Sequence, residues 1–524
     1  MSDTNSFHRA NSLLGSDQSC DVLVVGGGIN GTGIARDLAG RGWRVVLCEQ
    51  DDLGAHTSSA SSKLIHGGLR YLEYREFGLV RKALLERERL LRSAPHIMWP
   101  MRFVLPHDAH MRPAWMIRLG LWLYDHLAPR RFLPGCETVD LNHSPLGAPL
   151  QPQWQRGFVY SDGWVDDARL VVLCAMDASE LGASILTRTR CTAITPDGDG
   201  WCATLQAQGA REPTTLRARA VVNAAGPWVE RVLRDGMGVR SNPTHLRLVK
   251  GSHIVVPRCT AHDHAYILQG EDGRIVFVIP YEQDFTLIGT TDVAFQGDPS
   301  AVRIDDDEVA YLCQTVNRYL KQAVTPQDVR WSYAGVRPLL DDAQSSASAV
   351  TRDYRLQVSN EPAPWLTVWG GKITTFRVLA EQAATQVGEL LGSRRLPWTA
   401  HAWLPGGNLL EHVNTEEVLI HPQAAFAGLQ AHLLRQLPWL DDALASRWCR
   451  AYGGRVFRML AHVSHPDALG REVSPGLHEI ELSYLRRHEW ARTAEDILWR
   501  RSKLGLHYSP SERQAVADWL TAQG

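Results

Sequence analysis

Between Asp21 and Glu49 the chain carries one continuous unit that leaves few folds open to it. An apolar run, Val22-Leu23-Val24-Val25, meets Gly26-Gly27-Gly28-Ile29-Asn30-Gly31. A helical pattern follows through Leu38, is stopped by Gly40 and Gly42, and gives way to a second apolar run, Val45 to Cys48, closed by Glu49. This is a strand, a glycine turn, a helix and a second strand ending on an acid. Gly26, Gly28 and Gly31 fit G-x-G-x-x-G, with one glycine for the tight turn, one for close backbone approach to a pyrophosphate and one for helix–strand contact. The helix N-terminus offers unpaired N–H groups and partial positive charge to that anion, with Asn30 in its first turn. Glu49 stands 18 residues after Gly31, where an acid holds a ribose hydroxyl. The unit predicts a dinucleotide site on a doubly wound α/β domain.

Composition narrows the partners. The 524 residues hold 55 Lys+Arg against 57 Asp+Glu, a formal net charge of -2, so no overall charge argues for nucleic acid. The nine cysteines show no C-x-x-C and no Cys/His metal spacing. They read as reduced thiols of a cytosolic chain, and no metal site is expected. Residues 1–20 are polar, without a basic segment leading into an apolar core, and are read as a flexible tail rather than a signal peptide. No uncharged apolar stretch approaches the ~20 residues of a spanning helix, so any contact with a membrane is expected from one side.

After Glu49 the chain enters a hydroxyl-rich loop, Thr57 to Ser62, that continues through Lys63, Leu64, Ile65 and His66 to Gly67-Gly68-Leu69-Arg70-Tyr71. Ser58, Ser61, Ser62, Lys63 and His66 are expected to make a second line of contacts along the cofactor. These residues, with Gly26 to Gly31, carry a resemblance that extends through Tyr160-Ser161-Asp162, Trp164 to Arg169, Asn223-Ala224-Ala225-Gly226-Pro227-Trp228, Lys250-Gly251-Ser252-His253, Gly289-Thr290-Thr291-Asp292, Gly335-Val336-Arg337-Pro338 and Gly370-Gly371-Lys372. From about residue 20 to its C-terminus the chain resembles the aerobic, FAD-dependent glycerol-3-phosphate dehydrogenases, within the wider group of amine- and hydroxy-acid-oxidising flavoproteins.

The resemblance implies a discontinuous Rossmann-type FAD-binding domain (21–95, 155–240 and 365–395), a β-rich substrate or cap domain (96–154 and 241–364) and a helical C-terminal domain (400–524). Periodicity agrees in outline. An amphipathic helix is expected from Leu79 to Ser93, and short β-like runs occupy 253–288. A helix is expected over Asp305 to Leu320 and another over Phe376 to Leu391, and Pro405-Gly406-Gly407 reads as a hinge. Residues 112–133 mix arginines with Trp115, Met116, Leu119 and Trp122. Such a helix either lies in a bilayer interface or packs against the flavin domain. The arginines of 484–506 read as a solvated face or an interdomain ion-pair set.

The implied cofactor is FAD, and Ala224, Gly226, Trp228, Gly371, Thr374 and Thr375 are expected to bring backbone and hydroxyls back against it. Arg70, Tyr71, Thr290 and Lys372 are expected to hold the substrate, and His253 and Arg337 to act on it. His253 is the expected base, because imidazole titrates near neutral pH. A structural histidine in a β-branched run is the competing reading. Arg337 either stabilises an alkoxide, holds the phosphate, or forms an internal ion pair. Lys372 sits at a helix start, where a cation opposes the dipole, which argues for a use elsewhere. The implied reaction is oxidation of sn-glycerol 3-phosphate to dihydroxyacetone phosphate. Electrons would pass to membrane quinone, and the enzyme would be a homodimer bound peripherally to the cytoplasmic face of the inner membrane. The alternatives are an oxidase that reduces O2 to peroxide, and a dinucleotide sensor without turnover.

Overall fold

The computed structural model describes residues 19–108, 111–239, 244–341, 353–413 and 422–523. The segment 1–18, which makes up most of the expected tail, lies outside the described residues; Ser19 and Cys20 already belong to the first strand, Ser19–Val25.

Two large sheets organise the molecule. In the first, the strand order is Arg355–Ser359, Trp365–Trp369, Thr214–Asn223, Ser19–Val25, Val45–Cys48 and Ser184–Leu186, with the hairpin Thr189–Asp197/Gly200–Ala207 added alongside Thr214–Asn223. The five strands from Trp365–Trp369 to Ser184–Leu186 are mutually parallel. Parallel strands are covered on both faces and therefore read as continuous apolar runs; Val22, Leu23 and Val24 are wholly buried. Helices Ile29–Gly40, Asp167–Glu180 and Phe376–Leu390 pack over this sheet in one apolar core.

The second sheet contains ten strands, ordered through Leu246–Pro257, Phe285–Gly289, Ile275–Tyr281, Ala265–Gln269, Met98–His107 and Arg156–Val165. Trp331–Leu340 pairs antiparallel with Leu246–Pro257 along ten residue pairs. Helix Asp306–Asn317 crosses this sheet, opened by an Asp305/Glu308 capping box.

Sheet membership shifts two of the expected boundaries. Arg156–Val165, assigned from sequence to the nucleotide domain, pairs over its full length with Met98–His107 in the second sheet. Arg355–Ser359, assigned to the cap, pairs with Trp365–Trp369 in the first. Arg156–Val165 is buried along all but its first residue and Arg355–Ser359 is half-buried to exposed, and in both cases the strand each pairs with, not its own sequence, decides which sheet it joins.

The C-terminal region is helical with its own core around Trp448, Leu482 and Ile497. Two of its arginines reach the nucleotide domain, Arg501 gripping Asp52 at 2.5 and 2.8 Å and Arg500 meeting the same carboxylate at 2.7 Å, while from the other side buried Arg169 pairs with Glu489; Arg487 and Arg492 form part of an exposed face. The expected hinge is instead a tight packing point. A Cβ at Gly406 would lie 2.1 Å from the Tyr452 carbonyl oxygen, and one at Gly453 would lie 2.1 Å from that of Gly406.

Helix Ala114–His126 is divided between two environments. Leu121 and Tyr124 are buried, while Trp115 and Trp122 are 65% and 56% exposed, with Met116 and Leu119 beside them. Among the described residues no helix is long and apolar enough to cross a membrane.

Candidate active site

A parallel sheet directs its carboxyl ends, and the helix N-termini that follow, to one side, and ligands bind there. Here four strand ends deliver the expected turns to one place: Val25 leads into Gly26, Cys48 into Glu49, Asn223 into Ala224 and Trp369 into Gly370. All of these turns line a single cavity of about 580 Å³, which continues to the face of the second sheet.

At the nucleotide end, Gly26 has φ +112° and a Cβ there would lie 2.5 Å from the Ala224 carbonyl oxygen. Gly31 is packed against the turn rather than lining the cavity, since its Cβ would fall 1.9 Å from Gly26 O. Gly28 differs: a Cβ there would project toward the cavity, with Ser58 Oγ at 3.0 Å as its only close neighbour. Ser58 Oγ accepts a hydrogen bond from Ile29 N at 3.0 Å, at the helix start. Glu49 Oε2 accepts from Gly27 N at 2.6 Å and Oε1 from Asp51 N at 2.9 Å. Each oxygen keeps a lone pair for a further donor. Burial pushes the Glu49 carboxyl up, against the pull of these two backbone N–H groups. Asn30 Nδ2 donates to Gly370 O at 3.2 Å, while its Oδ1 is buried without a hydrogen-bond partner among the described residues. The helix N-terminus, the cradle at Gly28, the orphan Asn30 oxygen and the carboxylate at the second strand end fit a bound FAD.

The far end is built on the second sheet. Side chains two apart on a strand share a face. The register sets His253 opposite Tyr333 on one side and Gly289 on the other, Gly251 opposite Gly335, and Val249 opposite Arg337. The glycines keep this face open: a Cβ at Gly251 would lie 2.1 Å from Arg337 Nη2, and one at Gly335 would lie 2.6 Å from Ala60 Cβ. Arg337 donates through Nη2 to Thr290 Oγ1 at 2.6 Å and pairs through Nη1 with Asp292. Lys372 Nζ lies 4.0 Å from the Tyr71 ring centroid, a cation–π contact. His253 is 1% exposed; burial first, then the charges of Arg337 and Lys63, hold its pKa well below the usual imidazole value, so the ring is neutral at pH 7.

Of the residues expected from sequence, Gly26, Gly28, Asn30, Glu49, Ser58, Ser61, Ser62, His66, Tyr71, Ala224, Gly226, Trp228, His253, Thr290, Arg337, Gly371, Lys372 and Thr374 line the cavity together. Gly31, Lys63, Arg70 and Thr375 are not among its walls. Lys63 is turned into the protein, where its Nζ meets Asp167 Oδ1 at 2.8 Å and Ser59 O at 3.2 Å. Thr375 is buried at the start of helix Phe376–Leu390. Arg70 is half-buried, one residue before Tyr71. Asp292, His56, Cys191 and Phe277 also line the cavity and were missed. Asp292 stood in a quoted motif, but nothing local indicated that it would meet Arg337 across the sheet.

Comparison with known proteins agrees with this arrangement. The family described as FAD dependent oxidoreductase matches residues 21–377, and residues 398–521 match the family described as the C-terminal domain of alpha-glycerophosphate oxidase. A glycerol-3-phosphate dehydrogenase of Pseudomonas aeruginosa is 52% identical over 96% of this chain and 95% of its own length. A D-erythritol 1-phosphate dehydrogenase of Brucella abortus is 47% identical over 97% of this chain and 99% of its own length. The crystal structure of a glycerol-3-phosphate dehydrogenase from Bacillus halodurans complexed with FAD shares the fold, with TM-score 0.76 at 24% identity, covering 100% of this chain and 97% of that one. The α/β nucleotide domain with its β-rich partner and helical C-terminal region, the match over residues 21–377 and the extended likeness to these relatives place the chain in the FAD-dependent oxidoreductase family.

Proposed function

We propose that this enzyme oxidises the C2 hydroxyl of sn-glycerol 3-phosphate to the ketone of dihydroxyacetone phosphate. FAD, when bound, supplies the hydride acceptor. The carrying observation is that one cavity joins the glycine turn and Glu49 at one end to His253, Arg337 and Lys372 at the other. In this reading Gly26, Gly28, Asn30 and the helix N-terminus hold the pyrophosphate, and Glu49 takes the adenosine ribose. Ser58, Ser61, Ser62, His66, Ala224, Gly226, Trp228, Gly371 and Thr374 form the remaining walls of the cofactor groove. Gly31, Lys63 and Thr375 set the shape of those walls.

The substrate end needs fixed cations for a phosphate dianion and an acceptor for the hydroxyl proton. Lys372 provides a point charge and Arg337 a planar donor fork. Thr290, Asp292 and the carbonyl of Thr291 orient that fork at the substrate end of the cavity. Tyr71 closes the cavity under Lys372, with Arg70 adjacent as a further cation. His253, neutral at pH 7, is the base. The 47% identity to a D-erythritol 1-phosphate dehydrogenase favours a second reading in which a longer polyol phosphate is the substrate.

Electrons pass in this proposal to membrane quinone, with the protein a homodimer held at the cytoplasmic face of the inner membrane. The exposed Trp115, Met116, Leu119 and Trp122, with Tyr74 and Phe77 also exposed and Arg118 on the same helix, suit insertion into the headgroup boundary. The match of residues 398–521 to an oxidase domain supports O2 as the competing acceptor. Anaerobic bleaching of the bound flavin, titrated with glycerol 3-phosphate and with erythritol 1-phosphate, tests the substrate. Bleaching by neither removes the proposal. Reduction of a quinone analogue set against peroxide yield under air then assigns the acceptor, and near-stoichiometric peroxide overturns the quinone reading.

A further inference from the structure

His253 is almost wholly covered, yet the proposed chemistry asks it to take a proton from a hydroxyl in the cavity. The structure contains a group between the two. Ser62 is half-buried on the cavity wall, and its Oγ lies 2.9 Å from His253 Nε2. It makes no other hydrogen bond among the described residues. The imidazole has little room to swing past it. One face stacks on Tyr333 at 4.8 Å with a 16° interplanar angle. The other lies against Gly289, where even a Cβ would fall 2.1 Å from His253 Cδ2. The second ring nitrogen, Nδ1, is buried with no hydrogen-bond partner among the described residues.

The serine is held as firmly as the ring. On one side Ser61, itself part of the cavity wall, has its N and Oγ tied to Asp167, donating to Oδ2 at 3.2 and 2.7 Å. On the other, Lys63 N donates to Ser61 Oγ at 2.9 Å and Lys63 Nζ binds Asp167 Oδ1 at 2.8 Å. Tyr333, which carries the imidazole, donates its hydroxyl to Ser61 O at 2.8 Å. Base, stacking partner and serine thus belong to one bonded frame, in which Ser61 and Lys63 direct their side chains to Asp167 and Ser62 directs its hydroxyl to the ring.

We infer that Ser62 is a catalytic residue, the hydroxyl through which the substrate proton reaches His253, an inference that rests on the function proposed above. As C2–H leaves as hydride to the oxidant that reaction already requires, the C2–O–H bond breaks and its electron pair becomes the second bond of the ketone. The released proton binds Ser62 Oγ while the original Ser62 proton passes to His253 Nε2. Serine ends unchanged, and the imidazole ends as the cation. The relay requires that the resting ring carry its proton on Nδ1 and present the Nε2 lone pair to Ser62.

Two readouts test this on the FAD-loaded protein. With histidine-selective 15N labelling, and His253→Asn to assign the signal, Nε2 of His253 should resonate as an unprotonated, hydrogen-bonded nitrogen. A protonated Nε2 overturns the relay without reference to turnover. In the anaerobic reductive half-reaction, Ser62→Ala should lower the limiting rate by about 10²–10⁴, the usual worth of a positioned proton acceptor. The half-saturating substrate concentration and flavin stoichiometry should be unchanged, and Ser62→Thr should restore much of the rate. A Ser62→Ala enzyme as fast as wild type, or one slow only in proportion to lost flavin, refutes the inference. Failure of glycerol 3-phosphate to bleach wild type would sink the proposed function, while the nitrogen signal would still decide the geometry.

Discussion

Gly28→Ala separates the two jobs of the glycine turn. Gly28 has φ −79° and ψ −176°, an ordinary extended conformation for alanine. The new Cβ would meet Ser58 Oγ at 3.0 Å, so the serine must shift by a few tenths of an ångström and weaken its bond to Ile29 N. That costs up to about 1 kcal/mol. Replacing glycine where the conformation is compatible recovers about 0.4–1 kcal/mol through the unfolded chain. The two terms nearly cancel, and the apoprotein's melting midpoint should move by no more than about 2 °C. The methyl nevertheless stands where backbone must approach the pyrophosphate. A tenfold loss of affinity is about 1.4 kcal/mol, and a loss of at least that size is expected. Flavin content by absorbance should fall, and the extra melting stability that FAD confers, about 2.7 kcal/mol at a hundredfold excess over Kd, should shrink. Gly31→Ala is the control: its Cβ would sit 1.9 Å from a backbone oxygen that no side-chain motion relieves, so that variant should lose the fold with or without FAD. Full flavin occupancy in Gly28→Ala, or an apoprotein as damaged as Gly31→Ala, refutes the assignment of Gly28 to close ligand approach.

Lys372→Met removes the cation over Tyr71 and keeps much of the side chain's volume. KM for the phosphate ester should rise by 10- to 100-fold, in line with about 1.5–3 kcal/mol for a hydrogen bond to a charged group, with flavin content intact; equal loss of flavin would make the lysine structural. Trp115→Glu with Trp122→Glu charges the exposed face of helix Ala114–His126. Vesicle flotation should then fail while dye-linked turnover persists, and unchanged flotation would move the membrane contact elsewhere. Glu282, near Lys503, Asp166 and Lys63, has its pKa raised by burial to about 7 from an ordinary 4.5. Because the folded value is the higher, its contribution is fully present below about pH 4.5 and is lost as pH rises through 7. Glu282→Gln should therefore gain on wild type in thermal midpoint between pH 5 and 8, and parallel curves for the two proteins would refute the raised pKa.

Much of the cofactor end was legible because its rules are local. A tight glycine turn and a 3.6-residue helical period need only neighbouring residues, so Gly26, Gly28 and Glu49 were identifiable from spacing. The substrate end was legible only through the resemblance, since Arg70, His253, Arg337 and Lys372 lie far apart in sequence. The serine loop illustrates the limit. Composition marked Ser61, Ser62 and Lys63 as one hydroxyl-rich contact line, yet buried Asp167 draws Ser61 and Lys63 toward the interior and only Ser62 faces His253.

By itself, then, the sequence determined a strand–glycine turn–helix–strand nucleotide unit, the helical and β-rich regions that follow, and the absence of a spanning apolar segment. Each rests on backbone sterics or hydrophobic periodicity over a few turns of chain. Only the tertiary structure decided that Arg156–Val165 belongs to the second sheet, that Asp292 clamps Arg337, and that the C-terminal arginines grip Asp52. Those outcomes depend on strand pairing and on buried charges finding partners, often hundreds of residues away, and such partners exist only once the chain has folded.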